Sequence, residues 1–275
     1  MDGLLLKFSI VAVLALFLLI PLNLVMGLVR ERNETRQVAI SQIESTWAMP
    51  QRITGPGIRY SLIGKDPKTM LDYAIIYPAL LKVNVSASTK NLHRSIYETS
   101  VYASVAHIYG TFEIDQELTG RSPVFYVNLS DLKGIEGECV AVVAGKRYEF
   151  MASMDNRGIE FPIPAESLHG NIDFDIELTI KGAESFDFTP VAKLTEVTVK
   201  SDCAEPSFQG DFLPSEREVS EDGFTAKWVV SQINRGAPES TAFGVRIVPA
   251  ANQYQQTTRS AKYGLLIIMM VFLAK

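Results

Sequence analysis

Two short runs carry carboxylates at every second position, Glu113, Asp115 and Glu117 and then Asp173, Asp175 and Glu177. In an extended chain that spacing sends the side chains of a run to one face, where they could hold a hard cation such as calcium. The solvated face of a sheet has the same spacing, and no DxDxDG-type loop accompanies either run. Both are therefore read as exposed strand faces, and no metal is assigned. The histidines are His93, His107 and His169, with no HExxH and no cysteines at zinc spacing, so zinc chemistry is not expected. A GxSxG nucleophile turn, a GxxxxGK phosphate loop and a GxGxxG fingerprint are all missing. That leaves no nucleophile of the α/β-hydrolase kind and no seat for a nucleotide cofactor. Catalytic residues gathered from separate loops would leave no such motif, so a hydrolase stays open as an alternative.

The two cysteines, Cys139 and Cys203, fit either buried thiols in a reducing compartment or one disulfide in an oxidising one, and their spacing does not decide. Asn33-Glu34-Thr35, Asn84-Val85-Ser86 and Asn128-Leu129-Ser130 match the glycosylation sequon and are read as incidental.

What must position these residues is mostly β. Phe112 and Ile114 alternate with Glu113 and Asp115, and Ile172, Phe174, Ile176, Leu178 and Ile180 alternate with Asp173, Asp175, Glu177 and Thr179. Phe224, Ala226, Trp228 and Val230 share one face of a third such run, and Val140 to Val143 is a continuous apolar run. A period of two marks half-buried strands. Lys133–Gly137, Asp155–Gly158 and Glu221–Gly223 read as turns between them, as in a large antiparallel sandwich with little helix. The chain has 275 residues, 47% hydrophobic and 21% charged, which excludes wholesale disorder. With 31 acidic against 26 basic residues its net charge is −5, the wrong sign for a nucleic-acid partner.

The ends differ from the middle. Phe8 to Val29 holds no charged side chain, and a helix over that run reaches about 33 Å, enough to cross a hydrocarbon core of about 30 Å. The run is too long for a signal-peptide core and lacks an Ala-x-Ala site, so it is read as an uncleaved anchor. Pro21 and Asn23 fall in its last third, near the interface. Arg30 to Trp47 continues as a polar helical stalk, and Met49-Pro50 and Gly55-Pro56-Gly57 read as the breaks that end it. Tyr263 to Ala274 reads as the beginning of a second span, the alternative being a terminal core element. Lysine and arginine counting does not fix the side of the middle domain, because the rule fails for loops beyond about 60 residues.

The most distinctive stretch is Pro206-Ser207-Phe208-Gln209-Gly210-Asp211-Phe212-Leu213-Pro214, followed by Arg217-Glu218-Val219 and Gly223-Phe224-Thr225-Ala226-Lys227-Trp228. It resembles the CreD family of bacterial inner-membrane proteins. The likeness extends upstream through Gln51-Arg52-Ile53-Thr54-Gly55-Pro56 and downstream through Gln253-Tyr254-Gln255 and Lys262-Tyr263. The resemblance implies a large periplasmic domain after the first helix, several further helices at the carboxy terminus, and a role in envelope integrity and the response to envelope stress or β-lactams. It supplies no molecular activity. Within the motif, Gly210 permits a turn or close approach, Asp211 accepts from backbone donors and Pro214 blocks central-strand pairing. This reads as a structural corner setting Phe208, Phe212 and Trp228 in the core, with a partner-binding surface as the other reading.

The expectation is a membrane-anchored, mainly β protein. Residues 1–29 form the amino-terminal segment and transmembrane helix, 30–54 a helical stalk and linker, 55–257 a β-sandwich-like periplasmic domain, and 258–275 the start of a truncated second span. The leading function is non-enzymatic envelope support, with the lipid bilayer and unidentified envelope proteins as partners and no cofactor. A membrane-anchored ligand-binding sensor and a membrane-tethered hydrolase are the alternatives.

Overall fold

The computed structural model describes residues 2–62, 73–94, 97–115, 118, 121–237 and 240–247, and of the first 23 side chains only Val13, Phe17 and Ile20. Helix α1 (Asp2–Thr46) is followed by β1 (Gln51–Ser61), β2 (Tyr73–Ile76), β3 (Leu80–Arg94), β4 (Tyr97–Ile114) and β5 (Val124–Leu129). A 3-10 turn, Leu132–Gly134, leads to β6 (Ile135–Val143), β7 (Lys146–Glu149), β8 (Met151–Ala152) and β9 (Gly158–Pro162). After a second 3-10 turn, Ala165–Ser167, come β10 (Gly170–Ala183), β11 (Ser185–Thr189), β12 (Leu194–Ser201), β13 (Pro206–Gly210), β14 (Glu216–Ser220) and β15 (Gly223–Ser231). The short helix α2 (Gln232–Arg235) precedes β16 (Phe243–Ile247).

The chain divides into two compact units, Met1–Gln42 with Pro249–Lys275, and Ile43–Val248. In the first, α1 is one unbroken helix through Pro21. Val13, Phe17, Ile20, Leu24 and Leu28 recur on it at helical spacing, each more than half exposed. Among the described residues no helix is long and apolar enough to cross a membrane. Most side chains of the uncharged run Phe8–Val29, and all of Tyr263–Ala274, lie outside those residues.

The second unit holds two eight-stranded sheets, in the orders β13-β16-β11-β1-β5-β9-β8, with β2 also paired to β1, and β14-β15-β12-β3-β4-β10-β6-β7. Their inner faces are the apolar halves of the alternating runs: Ile172, Phe174, Ile176, Leu178 and Ile180 of β10, and Phe224, Ala226, Trp228 and Val230 of β15, are all buried. Rings join the layers. Phe125 of β5 meets Phe112 of β4 at 5.9 Å and Phe174 of β10 at 6.1 Å, and Phe243 of β16 meets Trp228 of β15 at 5.5 Å. Each such fully buried side chain contributes about 2 kcal/mol over its exposed state. The first residues of this unit pack within it: Ile43 lies against Val101 and Ala183, Lys181 lies 4.8 Å above the Trp47 ring, and the Met49 amide donates to Asp131 at 2.9 Å.

Two expectations are corrected and one open alternative is resolved. The sheets are mixed, since β1 runs parallel to β11 and β3 parallel to β12; alternation has the same form in either direction, so the sequence does not carry this. Gly55-Pro56-Gly57 does not separate stalk from domain but lies inside β1, which begins at Gln51. There the pairing with β5 shifts register between Thr54 and Gly57, which accommodates a proline without an N–H, and a Cβ on Gly57 would meet the Tyr126 ring at 2.8 Å. Cys139 and Cys203 are not joined. Cys139 lies on β6 and Cys203 just beyond β12, with β3, β4 and β10 between them in the sheet. At about 4.8 Å per strand they are about 19 Å apart, far beyond the about 7 Å that a disulfide tolerates between Cα atoms.

Candidate functional site

The motif from Pro206 to Pro214 sits where the sandwich closes at one edge. Pro206 begins β13, an edge strand on which a missing N–H costs no ladder bond. Phe208 meets Trp228 and Phe224 edge-on, each at 5.8 Å. The chain then turns away from the sheet at Gly210, whose φ is +95° and whose missing Cβ would strike the carbonyl of Ala242 and lie 2.7 Å from the Cα of Phe243. Asp211 locks the turn in both directions. Its amide donates to the Ala242 carbonyl at 2.8 Å, and its carboxylate accepts from the Ala242 amide at 2.9 Å. Phe212 packs edge-on to Phe243 at 6.1 Å, while its carbonyl accepts the Trp228 indole N–H at 3.2 Å. Leu213 points outward and Pro214 is half-buried. All these contacts position core rings, and none gathers groups that react with one another.

The acidic residues lie where alternation puts them. Glu113 of β4 and Asp173, Asp175 and Glu177 of β10 are exposed on the outer face of their sheet, and Glu117 is outside the described residues. Asp175 pairs with His107 at 2.9 Å, Asp173 accepts from the Thr111 hydroxyl at 2.9 Å, and Glu113 pairs with Lys193. His107 stacks on Tyr109 at 4.7 Å. His93 faces Glu98 at 3.8 Å, and His169 contacts the Glu166 carbonyl at 3.0 Å, so the three histidines share no site. Among the described residues no three His, Cys, Asp or Glu side chains converge as metal ligands. Cys139 borders a cavity of about 310 Å³ with Phe150, Met151 and Ile159, and burial pushes its thiol above the usual range.

A further concavity involves residues that no motif singles out. It is a trough of about 540 Å³ on the outer face of the sheet containing β10, lined by Ser86, Ser88, Ala103, Val105, Thr179, Lys200, Asp202 and Asp222 among others. Strand register explains it: Glu218, Thr225, Lys200, Ser86, Val105 and Thr179 are successive partners on β14, β15, β12, β3, β4 and β10. Six strands at about 4.8 Å spacing make this row about 24 Å long. Short side chains at its centre leave the floor low. A second hollow of about 180 Å³ shares Lys200, Ser201 and Asp222 and continues the trough across β15. On the rim, Asp202 accepts from the Thr89 amide at 2.7 Å, the Thr89 hydroxyl at 2.8 Å and the Ser88 hydroxyl at 3.1 Å. Partial burial pushes its carboxyl up, but these donors outweigh it and hold the group below the ordinary carboxylate range. The sequence signal was slight, small residues at alternate outward positions of β3 and β4, and only the pairing register assembles them.

A family model described as "Inner membrane protein CreD" matches residues 3–275. The chain belongs to the CreD family. A curated relative, the inner membrane protein CreD of Escherichia coli (strain K12), is 26% identical over 296 aligned positions that take in 94% of this chain and 65% of the relative. The chain thus spans slightly under two thirds of that CreD protein. Among solved structures, the M1 zinc metallopeptidase from Deinococcus radiodurans is similar at 9% identity, with a TM-score of 0.31 over 62% of this chain and 42% of that one. A likeness so slight carries no argument. Two features of this family member therefore stand out, the motif corner, which is built into the core, and the open trough, which is not.

Proposed function

We propose that this chain is a non-enzymatic inner-membrane protein that supports envelope integrity and the response to envelope stress or β-lactams through a β domain on the periplasmic side. The observation carrying this reading is α1. Its run Phe8–Val29 lacks any charge, and its described apolar side chains stand uncovered at helical spacing in a chain of an inner-membrane family. Leaving them in water forgoes about 2 kcal/mol each, a cost the lipid bilayer removes. The sandwich then meets envelope proteins through its outer faces. A second reading, a membrane-anchored ligand-binding sensor, is favoured by the trough. Fusions after residue 250 test the topology: alkaline phosphatase, which is active only after export, should be active there, and a cytosol-dependent fluorescent reporter should be dark. Fluorescence at that position overturns the reading.

A further inference from the structure

We propose that the trough across β12, β3, β4 and β10 binds a hydroxylated organic ammonium of the amino-sugar class. The inference rests on the ligand-binding reading but not on which side of the membrane the domain faces. Three carboxylates, Asp202, Asp222 and Glu218, border the two joined hollows against one ammonium, Lys200, so the lining favours a cation. Among the described residues Asp222 and Lys200 have no ion pair or side-chain hydrogen bond, which leaves both for a ligand. Asp202 is already oriented by Thr89 and Ser88 and keeps acceptor capacity on the oxygen that Ser88 contacts. Among the described residues these carboxylates do not converge as a set of three metal ligands, so the cation proposed is organic rather than a bare metal ion. Hydroxyls complete the site. Ser86, Thr179 and Thr225 line the floor and can both donate to and accept from a ligand's own hydroxyls, Ser88 can accept, and Lys200 donates to them. Ala103 and Val105 give an apolar strip between, and Val105 is 43% exposed. A low floor about 24 Å long suits an oligomer lying across the strands.

The probe is the trimer of glucosamine at mildly acidic pH, where its amines are protonated, titrated calorimetrically into the full chain in detergent. Its N-acetylated counterpart has the same hydroxyls without the charge. The charged trimer should bind saturably and the neutral one at least about tenfold more weakly, the scale of one charge-assisted hydrogen bond. Val105→Arg, which fills the floor, should abolish binding, and Asp222→Asn should weaken it about tenfold. Val142→Arg, on the same sheet face but outside the trough, should leave it unchanged. Absence of saturable binding, equal binding of the neutral trimer, or equal loss in Val142→Arg each overturns the proposal. If Val105→Arg fails to fold, Asp222→Asn decides alone, because its side chain supports no contact; unchanged affinity there overturns it too.

Discussion

Replacing Gly210 by alanine tests whether the motif corner is held by backbone geometry. The new methyl would sit at φ +95° against the Ala242 carbonyl and 2.7 Å from the Phe243 Cα, both on the neighbouring backbone. Strain at positive φ costs about 1–2 kcal/mol. Relief requires β13 to part from the Ala242 segment, which weakens the amide bond from Asp211 at 2.8 Å and the charge-assisted bond to its carboxylate at 2.9 Å. Those are worth about 1 and about 2 kcal/mol, for a total of about 4–5 kcal/mol. For a unit the size of Ile43–Val248, each kcal/mol moves the unfolding midpoint by about 2–4 °C, so a fall of about 8–20 °C follows. Gly137→Ala is the control, because its φ is +74° and its missing Cβ meets nothing within 4 Å. It should show only the strain. Thermal unfolding of the full chain followed by near-UV circular dichroism reads both variants, with Trp228 reporting on the corner. Midpoints within about 2 °C of one another would refute the claim that packing against Ala242 and Phe243 fixes the turn.

Three further outcomes follow. Trp228→Phe removes the donor to the Phe212 carbonyl and leaves a small void, so it should cost about 2–3 kcal/mol by denaturant unfolding; an unchanged midpoint would show the indole bond to be idle. Because Asp202 has a depressed folded-state pKa, its contribution is present above the unfolded value of about 3.9 and is lost as pH falls through the folded value. Asp202→Asn should therefore lower the midpoint at neutral pH and converge with wild type in acid, and a gap that persists in acid contradicts the assignment. Native alkylation without reductant should label Cys139 slowly and Cys203 only on unfolding, with both thiols recovered by mass spectrometry; a Cys139–Cys203 linked peptide would contradict the sheet order.

How much of this was readable in advance depended on whether the signal was local. β10 and β15 were legible because a half-buried strand writes its two faces into consecutive residues. The corner was legible as chemistry, glycine then aspartate then proline, although its partner Ala242 lies about thirty residues on and only pairing of β13 with β16 brings it near. Strand order was not legible. Ile53 and Val83 look alike whether a neighbour runs parallel or antiparallel, so the β1–β11 and β3–β12 pairings had no local trace. The Gly55-Pro56-Gly57 break misled because a proline beside glycines marks a bulge within a strand as readily as a turn between elements. The two cysteines gave no distance, since that depends on the strands lying between them. The trough escaped for the same reason: Ser86, Val105, Thr179 and Lys200 are ordinary outward residues until register aligns them.

The outer strand β14 has one unpaired edge, and all five of its residues are exposed. A two-fold axis joining two copies edge to edge must keep each face on its own side, so a residue meets either itself or one an even number of positions away. Centred on Glu216, Arg217 or Glu218, that pairing sets like against like: Glu216 on Glu216, Arg217 on Arg217 with Glu216 on Glu218, or Glu218 on Glu218. Each clash costs about 0.2–1 kcal/mol. In those three registers neighbouring copies repel along this border, which disfavours edge-to-edge pairing through its charged half.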